Sequence, residues 1–229
     1  HLTIIDRKHT PQSIAQRFDD MIGFSSLLQE NFILYNGPEC GASAPDHAHF
    51  QACGKEEELE GALGADWHKE LLIEKSNVEI HSIDNPVTAI LIQTKDKATM
   101  SRTFKQLYDI LAADKNGKEP MMNILTWYGL EKHKDFFQGY YESELKDLTL
   151  RYHCMIFLRS KHRPDCYYAE GDEQILISPA IAEMNGIFPV VREEDFPKLT
   201  PEKIYEIRRE VSMPQDEFIK ITERIKAAL

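Results

Sequence analysis

No apolar run in this chain of 229 residues approaches the roughly 18 that a membrane-spanning helix needs, and its N-terminus carries no charged-then-apolar signal segment. Those two absences predict a soluble chain without a membrane partner. Cysteine is scarce: Cys40, Cys53, Cys154 and Cys166 contain no CxxC spacing, and the chain is too long to be a disulfide-stapled mini-protein. They read as reduced thiols in a cytoplasm. Basic side chains are in deficit, 27 Lys and Arg against 38 Asp and Glu, for a formal net charge of -11. That balance repels a nucleic-acid backbone, so no polynucleotide partner is expected. It leaves small phosphorylated ligands open, because a few local donors hold those. An initiating methionine is also missing. His1 to Asp6 reads at once as a strand, which predicts a fragment with further strands upstream.

The 42% of hydrophobic residues suffices for a core. Pro11 starts a helical pattern of Ile14, Phe18, Met21, Ile22 and Leu28 that runs to about Glu30. Phe32 to Tyr35 reads as a strand closed by Asn36-Gly37-Pro38. A strand from His47 to Cys53 would place His47, His49 and Gln51 on one face and Ala48, Phe50 and Ala52 on the other. Lys55 to Gly64 reads as an acidic connection. The order then recurs: a strand at Thr88–Gln93, a helix at Met100–Leu111, a strand at Met122–Gly129 and another at Leu148–Arg159. Thr200-Pro201 opens a helix through Val211, and Pro214 opens one more. The pattern predicts an α+β protein of two related halves that share one antiparallel sheet or pack two, with flanking helices.

Two imidazoles and an amide in one row are suited to phosphorus chemistry. Phosphoryl or nucleotidyl transfer needs an in-line nucleophile and donors for the non-bridging oxygens. An imidazole serves as nucleophile when its other ring nitrogen donates to a fixed acceptor, and Gln51 can supply an amide N–H. Just upstream, Gly37 and Gly41 permit close backbone approach and Ser43 offers a hydroxyl. A histidine alone is most often a packed or surface residue, and a glycine loop is most often only a turn; the two in succession carry more weight. A metal site is a further reading of the alternating histidines. It needs additional ligands, and His9 is the nearest.

The segments His1–Ile5 and Gly37-Pro38-Glu39-Cys40-Gly41-Ala42-Ser43-Ala44-Pro45-Asp46-His47-Ala48-His49-Phe50-Gln51 resemble the histidine triad superfamily. Gln51, where the hydrolase branch has a third histidine, resembles the transferase branch of uridylyltransferases and dinucleotide or nucleotide-sugar phosphorylases. The resemblance implies a nucleotide or nucleotide-sugar substrate and a covalent nucleotidyl-histidine on His49, with Gln51 and Ser43 on the phosphate and His47 in support. It implies zinc on His47 and His9 if the uridylyltransferase pattern holds, and no other cofactor. Two features depart from that pattern. Asp46 separates Pro45 from His47, and the CxxC pair of the uridylyltransferase zinc site has no equivalent here.

The resemblance divides the chain into a first histidine-triad-like repeat at 1–76 and a second, degenerate one at 77–229. Tyr152 to Pro164 resembles the second repeat of these transferases, but His153 is followed at alternate positions by Met155 and Phe157, so no second nucleophile is expected. Lys161, His162 and Arg163 form a basic cluster that suits a diphosphate or sugar phosphate, or else a solvated strand end. Asn36, Gly37, Gly41, Lys161 and Arg163 are the candidate substrate-binding residues. Ile177 to Arg192 resembles the GDP-L-galactose phosphorylase group. Nothing in the sequence sets the oligomeric state.

Overall fold

The computed structural model describes residues 1–55, 67–75, 77–84, 86–129 and 149–229. Its strands are β1 (Leu2–Ile5), β2 (Asn31–Asn36), β3 (His49–Gly54), β4 (Lys69–Lys75), β5 (Val78–Ile83), β6 (Ala89–Thr94), β7 (Met122–Gly129) and β8 (Arg151–Leu158). They form one eight-stranded sheet in the order β1-β3-β2-β7-β8-β6-β5-β4, with every neighbouring pair antiparallel. The α+β reading holds, and the choice between one sheet and two resolves to one. Around the central β2–β7 seam the pairing is the same on both sides. A strand, a helix and two strands pair as β1-β3-β2 in one half and as β6-β8-β7 in the other.

The helices are α1 (Phe18–Leu27), α2 (Lys97–Ala112), the single turns α3 (Asp165–Tyr168) and α4 (Ile181–Met184), then α5 (Pro201–Val211) and α6 (Gln215–Ala228). On one sheet face α1, α2 and α6 cover Ile33, Tyr35, Phe50, Ala52, Ile90, Ile92, Ile124 and Ile156. Phe18 and Phe104 join α1 to α2 by stacking with centroids 3.5 Å apart. On the other face Phe32, Leu34, Leu91, Leu125, Met155 and Phe157 meet Ile181 and Met184 of α4 and Val211 of α5. The middle strands are thus buried on both faces, so Ala89–Ile92 of β6 and Cys154–Leu158 of β8 read as unbroken apolar runs. Each such buried side chain contributes about 1.5–3 kcal/mol, so these two layers hold the sheet that carries the site.

Caps match the sequence signals where they are local. The Asp96 carboxylate accepts from Thr99 N at 2.7 Å to start α2, and Thr200 Oγ1 accepts from Lys203 N at 3.3 Å to start α5 with Pro201 at its first position. Three expectations differ. The first helix starts at Phe18 and not at Pro11, because Gln12 and Ile14 are held by distant groups. The strand expected from His47 begins at His49. Strands β4 and β5 had no counterpart in the sequence reading. Of the expected connection Lys55–Gly64, all but Lys55 lies outside the described residues, as does Leu148. Among the described residues no helix is long and apolar enough to cross a membrane.

Candidate active site

A strap runs from Asp6 to Gln12 beside the approach to β3. Asp6 N donates to Ala48 O at 3.0 Å, Ala48 N to Thr10 O at 2.7 Å, and Gln12 N to Pro45 O at 2.9 Å. Within the strap the Asp6 carboxylate accepts from Thr10 Oγ1 at 2.8 Å and pairs with Arg17, and these two partners hold its carboxyl below the usual range. The strap's exit is fixed by Glu119, which accepts from Ser13 Oγ at 2.8 Å, from Ile14 N at 2.7 Å and from the Tyr35 hydroxyl. Burial first, and the Glu119 charge second, push the Tyr35 phenol far up, so it remains a neutral donor.

His49 is the first residue of β3 and only 7% exposed. Its Nδ1 lies 2.8 Å from the carbonyl oxygen of His47. A carbonyl can only accept, so Nδ1 carries the proton and Nε2 carries the lone pair. Gln51 follows on the same face. The alternation is confirmed by Phe50 and Ala52, which point into the helix-covered core, and by Cys53, which packs against the opposite cluster. The Gln51 side chain has no hydrogen-bond partner among the described residues and is half-buried.

His47 does not extend that row. A turn closed by His47 N donating to Ala44 O at 3.1 Å precedes it, and its Nε2 donates to Asp6 O at 2.9 Å. Asp46, in the same turn, is exposed and meets His9 Nε2 at 3.2 Å. The rings of His9 and His47 lie 4.7 Å apart. Among the described residues no group of three or more His, Cys, Asp or Glu side chains is placed to hold a metal ion. Among the described residues these two imidazoles, one of them spent on a carbonyl, do not by themselves make up the ligand set that zinc takes.

The glycine loop lies between β2 and this turn. Gly37 N donates to Met122 O at 3.1 Å, and a Cβ there would stand 2.8 Å from that oxygen. Gly41 has φ +86° and packs against Pro179 and Ala180. The Asn36 side chain is buried, its Oδ1 accepting from Asn123 Nδ2 and from Ile181 N, both at 2.8 Å. Ser43 is exposed. Lys161 is engaged by Asp165 and Glu210, and Arg163 donates from Nε to Ser178 Oγ at 3.0 Å and lies over the Tyr167 ring at 4.3 Å. The structure thus sets Asn36, where the loop begins, beside His49, since both carbonyl oxygens accept from the Gln12 side chain, with Gln51 two residues on along β3, whereas Lys161 is tied into its own ion pairs.

Three residues that the sequence reading passed over organise this region. Arg159 is buried, and all five of its N–H groups are used: Nε on Val211 O at 3.2 Å, Nη1 on Asn123 Oδ1 at 2.6 Å and Pro179 O at 3.0 Å, Nη2 on Lys161 O and His162 O at 3.0 Å each. Asn123 then donates to Cys40 O at 2.7 Å as well as to Asn36. Gln12 accepts from His49 N at 2.8 Å and donates to His49 O and Asn36 O at 3.0 Å each. Composition offers no signal for any of them. Only Gln12, placed one residue after Pro11 in a supposed helix, interrupts a local pattern.

Residues 1–54 match the family described as a domain of unknown function, DUF4922, and residues 154–229 match the family described as GDPGP1-like, C-terminal domain. No curated protein matches the chain. Among solved structures, a DUF4931 family protein from Bacillus cereus is 17% identical, with 96% of this chain and 94% of that one covered and a TM-score of 0.44. A uridylyltransferase is 13% identical, with 93% and 67% covered and a TM-score of 0.41.

Proposed function

We propose that the chain is a nucleotidyltransferase or phosphorylase that acts on a nucleoside diphosphate sugar or a dinucleoside polyphosphate through a covalent nucleotidyl-histidine at His49. The observation that supports it most is the contact of His49 Nδ1 with the His47 carbonyl at 2.8 Å, which leaves Nε2 as the nucleophilic nitrogen. Nε2 attacks phosphorus and a P–N bond forms. The bond from phosphorus to the leaving oxygen breaks, and its electron pair departs with the leaving phosphate. The imidazole then carries positive charge, which the His47 carbonyl dipole offsets. Gln51 donates to a non-bridging oxygen, and Ser43 with the backbone of Gly37 to Gly41 lines the phosphates. An acceptor phosphate attacks the same phosphorus in the second step and returns the electron pair to Nε2. The segment Ile177 to Arg192, which resembles the GDP-L-galactose phosphorylase group, lies within the 154–229 match, and that agreement favours a nucleotide-sugar donor.

Product analysis with and without inorganic phosphate tests the reading. With a panel of nucleoside diphosphate sugars and diadenosine tetraphosphate, a phosphorylase releases a nucleoside diphosphate that contains the added phosphate. Release of only the monophosphate in both cases would assign the same histidine to a hydrolase, and no release from any donor would overturn both.

A further inference from the structure

The twelve residues between Asn36 and His49 make a loop whose ends must be held for His49 to meet a phosphorus in line. One side chain touches both ends. Gln12 reaches in from the strap, and its Nε2 donates to Asn36 O, where the loop begins, and to His49 O, where it ends, each at 3.0 Å. Its Oε1 accepts from His49 N at 2.8 Å, so a single amide takes both backbone groups of His49, as a neighbouring strand would. Its own backbone N donates to Pro45 O at 2.9 Å, a third point on the same loop. Gln12 is buried. Both N–H donors of its amide are therefore committed, and neither is left for substrate.

We infer that Gln12 is a positioning residue for nucleotidyl transfer: it staples the neck of the loop and fixes the backbone of His49, so that Nε2 is aligned before substrate arrives. The inference rests on His49 being the nucleophile. It distinguishes Gln12 from a core filler, since an apolar side chain of equal length would pack equally well but could hold neither carbonyl. A displacement of the nucleophile by about 1 Å costs on the order of 100-fold in rate.

Two variants of the full chain test it, each given an equimolar mixture of ADP-glucose, GDP-glucose, UDP-glucose and diadenosine tetraphosphate, with the rate of His49 adduct formation followed by mass spectrometry. Gln12→Met keeps length and apolar bulk. It should form the adduct about 100-fold more slowly at every pH, with nucleotide binding changed by less than about 3-fold. Gln12→Glu keeps the acceptor for His49 N and loses both donors, and its carboxylate faces two carbonyl oxygens. Protonation restores one donor, so its rate relative to wild type should rise as pH falls from 8 to 5, while the ratio for Gln12→Met stays flat. Taking each rate relative to wild type at the same pH removes any pH dependence that the three proteins share. A thermal melt of each variant accompanies the rates, and the pH-dependent ratio is read within one folded variant. A wild-type adduct together with an equally fast adduct in Gln12→Met, or a pH-independent ratio for Gln12→Glu, would overturn the role of Gln12 alone. Absence of any adduct on wild type would overturn the nucleotidyl-transfer reading and the role of Gln12 with it.

Discussion

Replacing Gly41 by alanine tests how tightly the loop is seated on the segment before α4. The residue holds φ +86°, a region that costs an L side chain about 1–2 kcal/mol. A Cβ would also stand 2.6 Å from Ala180 Cβ, 2.9 Å from Ala180 Cα and 2.9 Å from Pro179 O. Overpacking of that kind costs about 1–3 kcal/mol. The loop cannot lift freely to relieve it, because Cys40, one residue earlier, is buried with its carbonyl held by Asn123 at 2.7 Å. Urea denaturation should therefore show Gly41→Ala destabilised by about 2–4 kcal/mol. Ala180→Gly removes the closest of the three contacts and leaves the other two and the dihedral untouched. In a double-mutant cycle the pair should be coupled favourably by about 1 kcal/mol, a partial rescue. Strict additivity, or a Gly41→Ala protein as stable as wild type, would refute the idea that the 179–180 segment sets the loop.

Three further outcomes follow from buried groups. Asn123→Leu deprives Arg159 of an acceptor and leaves Asn36 Oδ1 and Cys40 O short of a donor, so it should lower stability by about 3 kcal/mol in the same urea assay. Asp195, gripped by Arg192 and Lys198 and by the Leu176 N–H, has its carboxyl lowered from 3.8 to about 2. A depressed carboxyl stabilises the fold above its unfolded value and loses that contribution as the pH falls through the folded one; acid unfolding of wild type should steepen between about pH 4 and pH 2, and Asp195→Asn should lack that slope. Burial raises the Cys40 thiol to about 11 and that of Cys154 well above its ordinary value, so iodoacetamide at pH 8 should spare both and label the half-buried Cys53, and more slowly Cys166, whose thiol partial burial also raises. Labelling of Cys40 in folded protein would contradict that burial.

What could be read in advance was what depends on neighbours in the chain. Strand β7 has the bounds expected from its apolar run and closing glycine, and α5 starts where Thr200 and Pro201 say it should. The histidine and glutamine on β3 follow from strand alternation once the strand's start is known. The start itself was misplaced, because Pro45 and the Ala44–His47 turn end the pairing that alternation assumes. Strand β5 carries an alternation, Val78, Ile80 and Ser82 against Glu79 and His81, that suits a strand; β4, at the sheet edge with Lys69, Glu70, Glu74 and Lys75, has little hydrophobic pattern. Asn123 and Arg159 have no local signature, and Gln12 has only its interruption of a helical pattern. Each has a partner far along the chain, 37, 87 and 36 residues away, and nothing in a polar residue's immediate sequence says that its amide or guanidinium will be buried against so distant a group.

The central claim is that His49 Nε2 becomes covalently bonded to the nucleotide phosphorus. Intact-mass and peptide-mapping spectrometry of the full chain after incubation with nucleotide-sugar and dinucleotide donors tests it most directly. The account predicts a gain equal to one nucleoside monophosphate moiety on the peptide that contains His49, lost on adding phosphate and absent in His49→Ala. Turnover that persists in His49→Ala, or an adduct mapped to any other residue, would contradict it.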